Sequence, residues 1–514
     1  MRISGPPLPP LPVGGLTEAI EAIGYRRQPW LTVVRGREEQ AFSGAELHAL
    51  AARWQAAIEG AGLEPGERAV VLFPNDERWV AAFLGLLRAG GVAVPLAFPA
   101  SLSDPAEAMR RLQPLLTAAD PRLVLTTPEL APFVALPSVT QPASSPATGA
   151  APVRGEDPAF IQFTSGSLGQ PRGAVISHRA ALSCTFSMGL AMALGPVDRG
   201  ISWLPLYHDM GLVGALLCPL FFGFPLDLMR PGDFLLHPSR FLSRAAHIGA
   251  TVAAAPDFGW KACARRARLP PGDLSRWRVA LNGAEPVHRS TIEEFQAAFG
   301  PHGFRESAMR PSYGLAENTL GVALYEPRDP APDLQHEGRL LPSVGSPLPG
   351  VEVEVDPQGE IRVRSASLMS GYFRDPEASA AALDDGWLRT GDLGQIHQGQ
   401  LYISGRIKDL VIHNGVKFHP YDIERVAAEA AGSPPNGAVA LARPGPEAEE
   451  LVVVVEVSGR NSEGVDRRVR GALVDQLGLR PDQVLTVAPG ALPRTTSGKV
   501  RRPAARALFG GQHA

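Results

Sequence analysis

RAVVLFPNDERWVAAFLGLLRAGGVAVPLAF, residues 68–98, decides the class of fold. Arg68–Pro74 is a short β-branched run that reads as a buried strand, Asn75–Gly91 has helical character, and Val92–Phe98 is strand-like again. A strand, helix, strand order of this length predicts parallel strands with a covering helix. Just upstream, SGAELHALAARWQAAIEGAGL (43–63) predicts a helix capped by Ser43, with Leu47, Leu50, Trp54 and Ile58 at helical spacing. Downstream, PRLVLTT, GISWLPL, GATVAAA and WRVALNG (ending at residues 127, 206, 255 and 283) supply further short strands. The fold class expected is α/β, a large N-terminal domain of mixed and parallel sheets flanked by helices.

The rest of the chain fits a multidomain globular protein. It has 514 residues, too many for one core. It is 45% hydrophobic and 20% charged with a net charge of −3, which argues against a polyanionic partner such as nucleic acid. Cys184, Cys218 and Cys263 form no CxxC pair and read as packed thiols of a reducing, cytoplasmic compartment. The opening MRISGPPLPPLPVGG lacks the apolar run of a signal peptide. The most apolar stretch, Gly211–Met229, is broken by Pro219, Pro225 and Asp227, so a buried helix and strand are expected there and no membrane span. Pro137–Asp157, rich in Pro, Ser and Ala, is expected to be a mobile surface linker. From GEIRVRS (359–365) and GQLYISGRIKDLVIHNG (399–415) onward the pattern turns to alternating strands, then a compact α+β tail. We expect domains at 1–407 and 408–514.

Chemistry concentrates in short stretches. FTSGSLGQPRG (163–173) combines glycines and hydroxyls in a loop suited to an anion. It lacks the spacing of a Walker P-loop and of a nucleophile elbow. Alone it would be an ordinary surface loop. It is followed in order by WLPLYHDMGL (203–212), NGAEP (282–286), YGLAE (313–317), TGDLG with GRIKD (390–409) and PRTTSGK (493–499). With these motifs nearly the whole chain resembles the adenylate-forming superfamily of acyl-CoA synthetases, fatty acyl-AMP ligases, peptide-synthetase adenylation domains and luciferases.

The resemblance implies the adenylate-forming enzyme fold with a small mobile C-terminal domain. It also implies that a carboxylate attacks the α-phosphorus of ATP, with Mg²⁺, to give an acyl adenylate and pyrophosphate. Thr164, Ser165, Gly166, Ser167 and Gly169 would grip the β- and γ-phosphates, with Arg172 a permanent cation nearby. Tyr313 would stack on adenine with Gly314 beside it in the nucleotide site, and Asn282, Gly283 and Ala284 would line the other adenine face. Glu317, with Thr164, would hold Mg²⁺. Asp392 and Arg406 would meet the ribose, and Lys408 would be the hinge. Lys499 would bridge the attacking carboxylate and the α-phosphate. Taken singly, Asp392, Arg406 and Lys499 would more often be surface groups, whereas the aromatic and glycine just before Glu317 weaken that reading for it.

Within the superfamily, WLPLYHDMGL, LNGAEPV and FHPYDIE (418–424) are most similar to the fatty acyl-AMP ligases. That implies His208, Met210 and Gly211 at the acyl pocket and the phosphopantetheine thiol of an acyl carrier protein as acceptor. Two departures qualify it. Glu317 is joined to VGSPLPG by only 26 residues (318–343), so a segment thought to disfavour coenzyme A is trimmed, and free coenzyme A stays open as acceptor. Leu168 stands where the family has threonine, a loss of about 1.5–3 kcal/mol if that hydroxyl met phosphate. A non-catalytic nucleotide-binding member is the remaining alternative, against which stand Lys499, Glu317, Asp392 and Arg406.

Overall fold

The computed structural model describes the chain except residues 100, 165–170, 267–271, 337–338, 408–410, 414–415, 435, 445–448, 459–463, 495–499 and 511–514. It forms two compact units. The first takes in Met1–Gly166, Pro171–Thr390 and Gln395–Tyr402; the second takes in Gly391–Gly394 and Ile403–Ala514.

The opening motif folds as its pattern dictates. Arg68–Leu72 and Val92–Pro95 are parallel, Ala69 opposite Ala93, with helix Glu77–Arg88 between them in the chain. That helix is buried over almost its whole length because helix Gly44–Gly60 packs across it. Gly85 makes the contact close: a Cβ there would lie 2.6 Å from the Ala51 carbonyl oxygen. Ser43 caps Gly44–Gly60 reciprocally. Its hydroxyl accepts from Glu46 N–H, and the Glu46 carboxylate accepts from Ser43 N–H.

Among the described residues this first strand pair lies in a seven-stranded sheet. Its order is Gly371–Tyr372, Arg172–Ser177, Pro158–Thr164, Val92–Pro95, Arg68–Leu72, Leu123–Thr126 and Ser138–Val139. A second sheet places six parallel strands side by side: Met309–Gly314, Val279–Asn282, Val252–Ala255, Gly200–Ser202, Leu226–Met229 and Pro29–Arg35. Their carboxyl ends therefore share one edge, where open α/β sheets bind ligands. A third, antiparallel sheet contains Val351–Val355, Glu360–Ser365 and Trp387–His397, as the alternation in GEIRVRS predicts.

Two expectations meet different fates. Gly211–Met229 is a buried helical segment and strand, Met210–Leu217 being a π-helix followed by the helix Cys218–Phe222. Among the described residues no helix is long and apolar enough to cross a membrane. The segment 137–157, expected to be a mobile linker, is instead strapped to the helices it crosses. Ala143, Ala147 and Ala151 N–H donate to the carbonyls of Arg53, Ala52 and Arg88, and Gln55 Nε2 donates to Gly149 O. Main-chain bonds of this kind leave no side-chain signature.

In the second unit, strands Ala438–Pro444, Glu449–Glu456 and Gln483–Val487 form a sheet covered on both faces. Leu451, Val453 and Val455 pack on helices Pro420–Ala431 and Val465–Leu477. Val452 and Val454 pack the other way, with Leu492 and Ala505. Two-sided burial explains the unbroken valine run in this strand.

Candidate active site

The shared edge of the six parallel strands collects several of the residues named above. Asn282 ends one strand, fully buried, with its amide Nδ2 donating to Asp257 Oδ1 at 3.0 Å. Its Oδ1 has no hydrogen-bond partner among the described residues. Gly283 follows against the neighbouring strand, where a Cβ would stand 2.6 Å from Ser312 Oγ. Ala284 takes φ +63°, a left-handed turn that swings the chain away from the strand. Tyr313, mostly buried, and Gly314 end the adjacent strand, so the NGA and YG motifs meet side by side.

Glu317 lies in the 3₁₀ turn Ala316–Asn318 that follows. The chain then makes a tight γ-turn at Thr319, with φ +62° and ψ −52°, and Leu320 N–H donates to Asn318 O at 2.6 Å. A β-branched residue in this region is strained. Three bonds hold it there: Thr319 Oγ1 to Ser367 O (2.6 Å), Asn318 Nδ2 to Gly321 O (2.7 Å) and Ser365 Oγ to Asn318 Oδ1 (2.6 Å). Glu317 Oε1 accepts a hydrogen bond from Tyr372 Oη at 2.9 Å.

Pro158–Thr164 and Arg172–Ser177, the strands on either side of residues 165–171, pair antiparallel with Thr164 opposite Arg172. Ser165, Gly166, Ser167, Leu168 and Gly169 lie outside the described residues, as does the Thr164 side chain. Arg172 stands 3.6 Å from Asp375 Oδ2 and over the ring of Tyr372, 5.5 Å from its centroid.

His208 follows the strand Gly200–Ser202. Its Nδ1 is 2.6 Å from Asp209 Oδ1, and its side chain is 28% exposed. Met210 N–H points at both groups, 3.4 Å from His208 Nδ1 and 2.7 Å from Asp209 Oδ1. Met210 and Gly211 start the π-helix, Met210 buried. Only glycine fits at 211, where a Cβ would be 2.0 Å from the Pro205 carbonyl oxygen.

In the second unit, Arg406 Nε donates to Asp392 Oδ1 at 2.5 Å, the carboxylate buried and the guanidinium largely exposed. Lys408 and Lys499 lie outside the described residues. Both flanks of 495–499 are described: Arg494 and Val500 form an antiparallel bridge, and Arg501 N–H donates to Pro493 O. Buried Glu456 fixes the first flank, accepting from Gly490 N–H, Leu492 N–H and Arg494 Nη2.

The family model of the AMP-binding enzymes matches residues 22–373. The chain belongs to the AMP-binding enzyme family. It is an ATP-dependent, adenylate-forming ligase that activates a carboxylic acid as an acyl adenylate. It is 34% identical to a Mycobacterium tuberculosis protein provisionally named a fatty-acid–CoA ligase, across 85% of this chain and 87% of the relative. It is 33% identical to a long-chain-fatty-acid–AMP ligase of Mycolicibacterium smegmatis, across 90% and 88%. A solved chain from work on the fatty acyl-adenylate ligases of E. coli and L. pneumophila superposes with a TM-score of 0.88 at 29% identity, covering 98% of this chain and 99% of that one.

Two residues of this AMP-binding enzyme escaped the sequence reading. Asp257, fully buried, receives Asn282 Nδ2, Thr291 Oγ1 (2.7 Å), His288 N–H and His288 Nδ1 (both 3.1 Å). Burial works against its charge, but the bonds from His288, Asn282 and Thr291 outweigh it and hold the carboxyl below its usual range. Its place just beyond the strand Val252–Ala255 was the available signal. The other is Tyr372, whose bond to Glu317 links segments 55 residues apart and has no local signature. The three cysteines are buried, and burial pushes the Cys184 thiol up to about 12, so none suits a nucleophile.

Proposed function

We propose that this ligase activates a fatty or similarly hydrophobic carboxylic acid and passes the acyl group to the phosphopantetheine thiol of an acyl carrier protein. The observation that carries this reading is the full-length likeness to fatty acyl-adenylate ligases. The buried apolar segment Met210–Phe222 directly after His208 supports an aliphatic acyl chain.

In this reading the hydroxyls and backbone of Thr164–Gly169 and the Arg172 guanidinium bind the triphosphate. Tyr313 and Gly314 pack against adenine, with Asn282, Gly283 and Ala284 on its other side. The buried Asn282 Oδ1 offers the acceptor that an adenine amino group would satisfy. Asp392 and Arg406 bind the ribose. Glu317 fits a magnesium site, since Mg²⁺ takes one or two protein carboxylates beside phosphate oxygens. Mg²⁺ would supply charge neutralisation on the phosphates. His208 orients the substrate carboxylate, and Lys499, delivered by the small domain (408–514, with Lys408 its hinge), stabilises the charge developing between carboxylate and α-phosphate.

Free coenzyme A is the second reading of the acceptor, favoured by the short 318–343 connection. That connection carries a small hairpin, Leu334–His336 with Arg339–Leu341, and is tied down where Tyr402 Oη donates to Pro332 O. The deciding experiment incubates enzyme, MgATP and a fatty-acid panel with holo-carrier protein or coenzyme A, followed by intact mass. Acylated carrier is expected; acylation of coenzyme A alone would overturn the carrier reading. Failure to release pyrophosphate with every acid would favour a non-catalytic nucleotide binder.

A further inference from the structure

Tyr372 belongs to GYFRDP (371–376), which no part of the functional reading uses. Its two-residue strand pairs antiparallel with Arg172–Ser177, Tyr372 opposite Ala174. Its N–H donates to Ser379 Oγ at 2.8 Å, and that hydroxyl donates to Asp375 O at 2.7 Å, so the main chain is fixed at this point. From there the side chain reaches from one sheet to the other. Its hydroxyl holds Glu317, which follows a strand of the second sheet, while its ring lies under the Arg172 guanidinium at the start of a strand in the first.

A phenol suits this place chemically. It donates one hydrogen bond to a carboxylate oxygen and restricts rotation of the carboxylate without cancelling its charge. A lysine or arginine would cancel the charge and compete with a bound cation. The ring face offers a cation a further attraction within the usual range of such contacts.

We propose that Tyr372 is a positioning residue for metal–nucleotide binding: its hydroxyl sets the Glu317 carboxylate for the cation, and its ring sets the Arg172 guanidinium beside the triphosphate. The inference rests on reading Glu317 as the metal carboxylate.

The test follows Mn²⁺ binding by EPR on the full chain with α,β-methylene-ATP, in Tyr372→Phe, Glu317→Gln, the double variant and Ser379→Ala. Ser379→Ala loosens the same strand without touching Glu317. Tyr372→Phe is expected to weaken Mn²⁺ about tenfold, the loss of one charge-assisted hydrogen bond. Ser379→Ala should stay within about twofold, and the double variant should bind no more weakly than Glu317→Gln alone, because the two residues act as a unit. Wild-type affinity in Tyr372→Phe, equal weakening in Ser379→Ala, or multiplying effects in the double variant would each overturn the proposal. If Glu317→Gln itself bound Mn²⁺ like the wild type, the metal reading of Glu317 would fall and take this inference with it. That pattern is distinct from one in which Glu317→Gln weakens binding and Tyr372→Phe does not.

Discussion

At the scale of single residues, this ligase separates groups that act through charge from groups that must stay neutral. Lys499 is expected to act through charge that matters only in the transition state. Lys499→Ala should cut pyrophosphate release by about 10²–10³-fold or more while nucleotide affinity, read by fluorescence titration, stays within a few-fold. Near-normal adenylation would remove Lys499 from the reaction. His178 is the opposite case. Burial lowers its pKa to about 4, with Asp157 opposing only weakly. The folded value lies below the ordinary one, so the unfolded chain takes up the proton first as the pH falls. The stability tied to neutral His178 is thus complete above the ordinary histidine pKa and lost on descending towards 4. Between pH 7 and 5 this residue alone should cost about 2 kcal/mol. Urea unfolding of the wild type and His178→Gln at both pH values would show it, since the variant should lose that much less. An equal loss in both would place the pH sensitivity elsewhere.

At the scale of elements, the turn after Glu317 stores strain that the sequence does not advertise. Threonine is a residue that composition rules would keep out of a positive φ, yet Thr319 sits there because Ser367 O and the Asn318 side-chain bonds over-determine the turn. Thr319→Ala keeps the strain and loses the hydroxyl bond, whereas Thr319→Gly loses the bond and relieves the strain. The glycine variant should therefore be about 1 kcal/mol more stable than the alanine variant by urea unfolding, reversing the usual preference for alanine. A more stable alanine variant would mean that the turn relaxes in solution. This contrast also marks how much the sequence displays. Strand 68–72, helix 77–88 and the capping at Ser43 follow from side-chain pattern, and so does the placing of Asn282 at a strand end. The strap at 137–157, the γ-turn and the Tyr372–Glu317 bond depend on main-chain bonds or contacts remote in sequence, which periodicity cannot report. Asp257 was legible in principle by its position after a strand; its four bonds were not.

At the scale of the whole molecule, the second unit meets the requirements for a domain in its own right. Its central strand Glu449–Glu456 is apolar on both faces, and both are covered from within the unit, one by Pro420–Ala431 and Val465–Leu477, the other by Leu492 and the helix Arg502–Phe509. A sheet sealed in this way has no need of outside apolar surface, and a length of about 110 residues lies within the range in which single cores are self-sufficient. The fragment Ile403–Ala514 should fold alone, giving a single cooperative thermal transition with dispersed amide resonances. Val453→Asp, which buries a charge in the larger core, should abolish that transition. Glu456 ends the same strand with its buried side chain on the Val452–Val454 face and anchors Gly490, Leu492 and Arg494, so the folded fragment should retain that stem. A fragment without a cooperative transition would show that the two-sided core is insufficient. Gly490, Leu492 and Arg494 would then owe their order to more than their own unit.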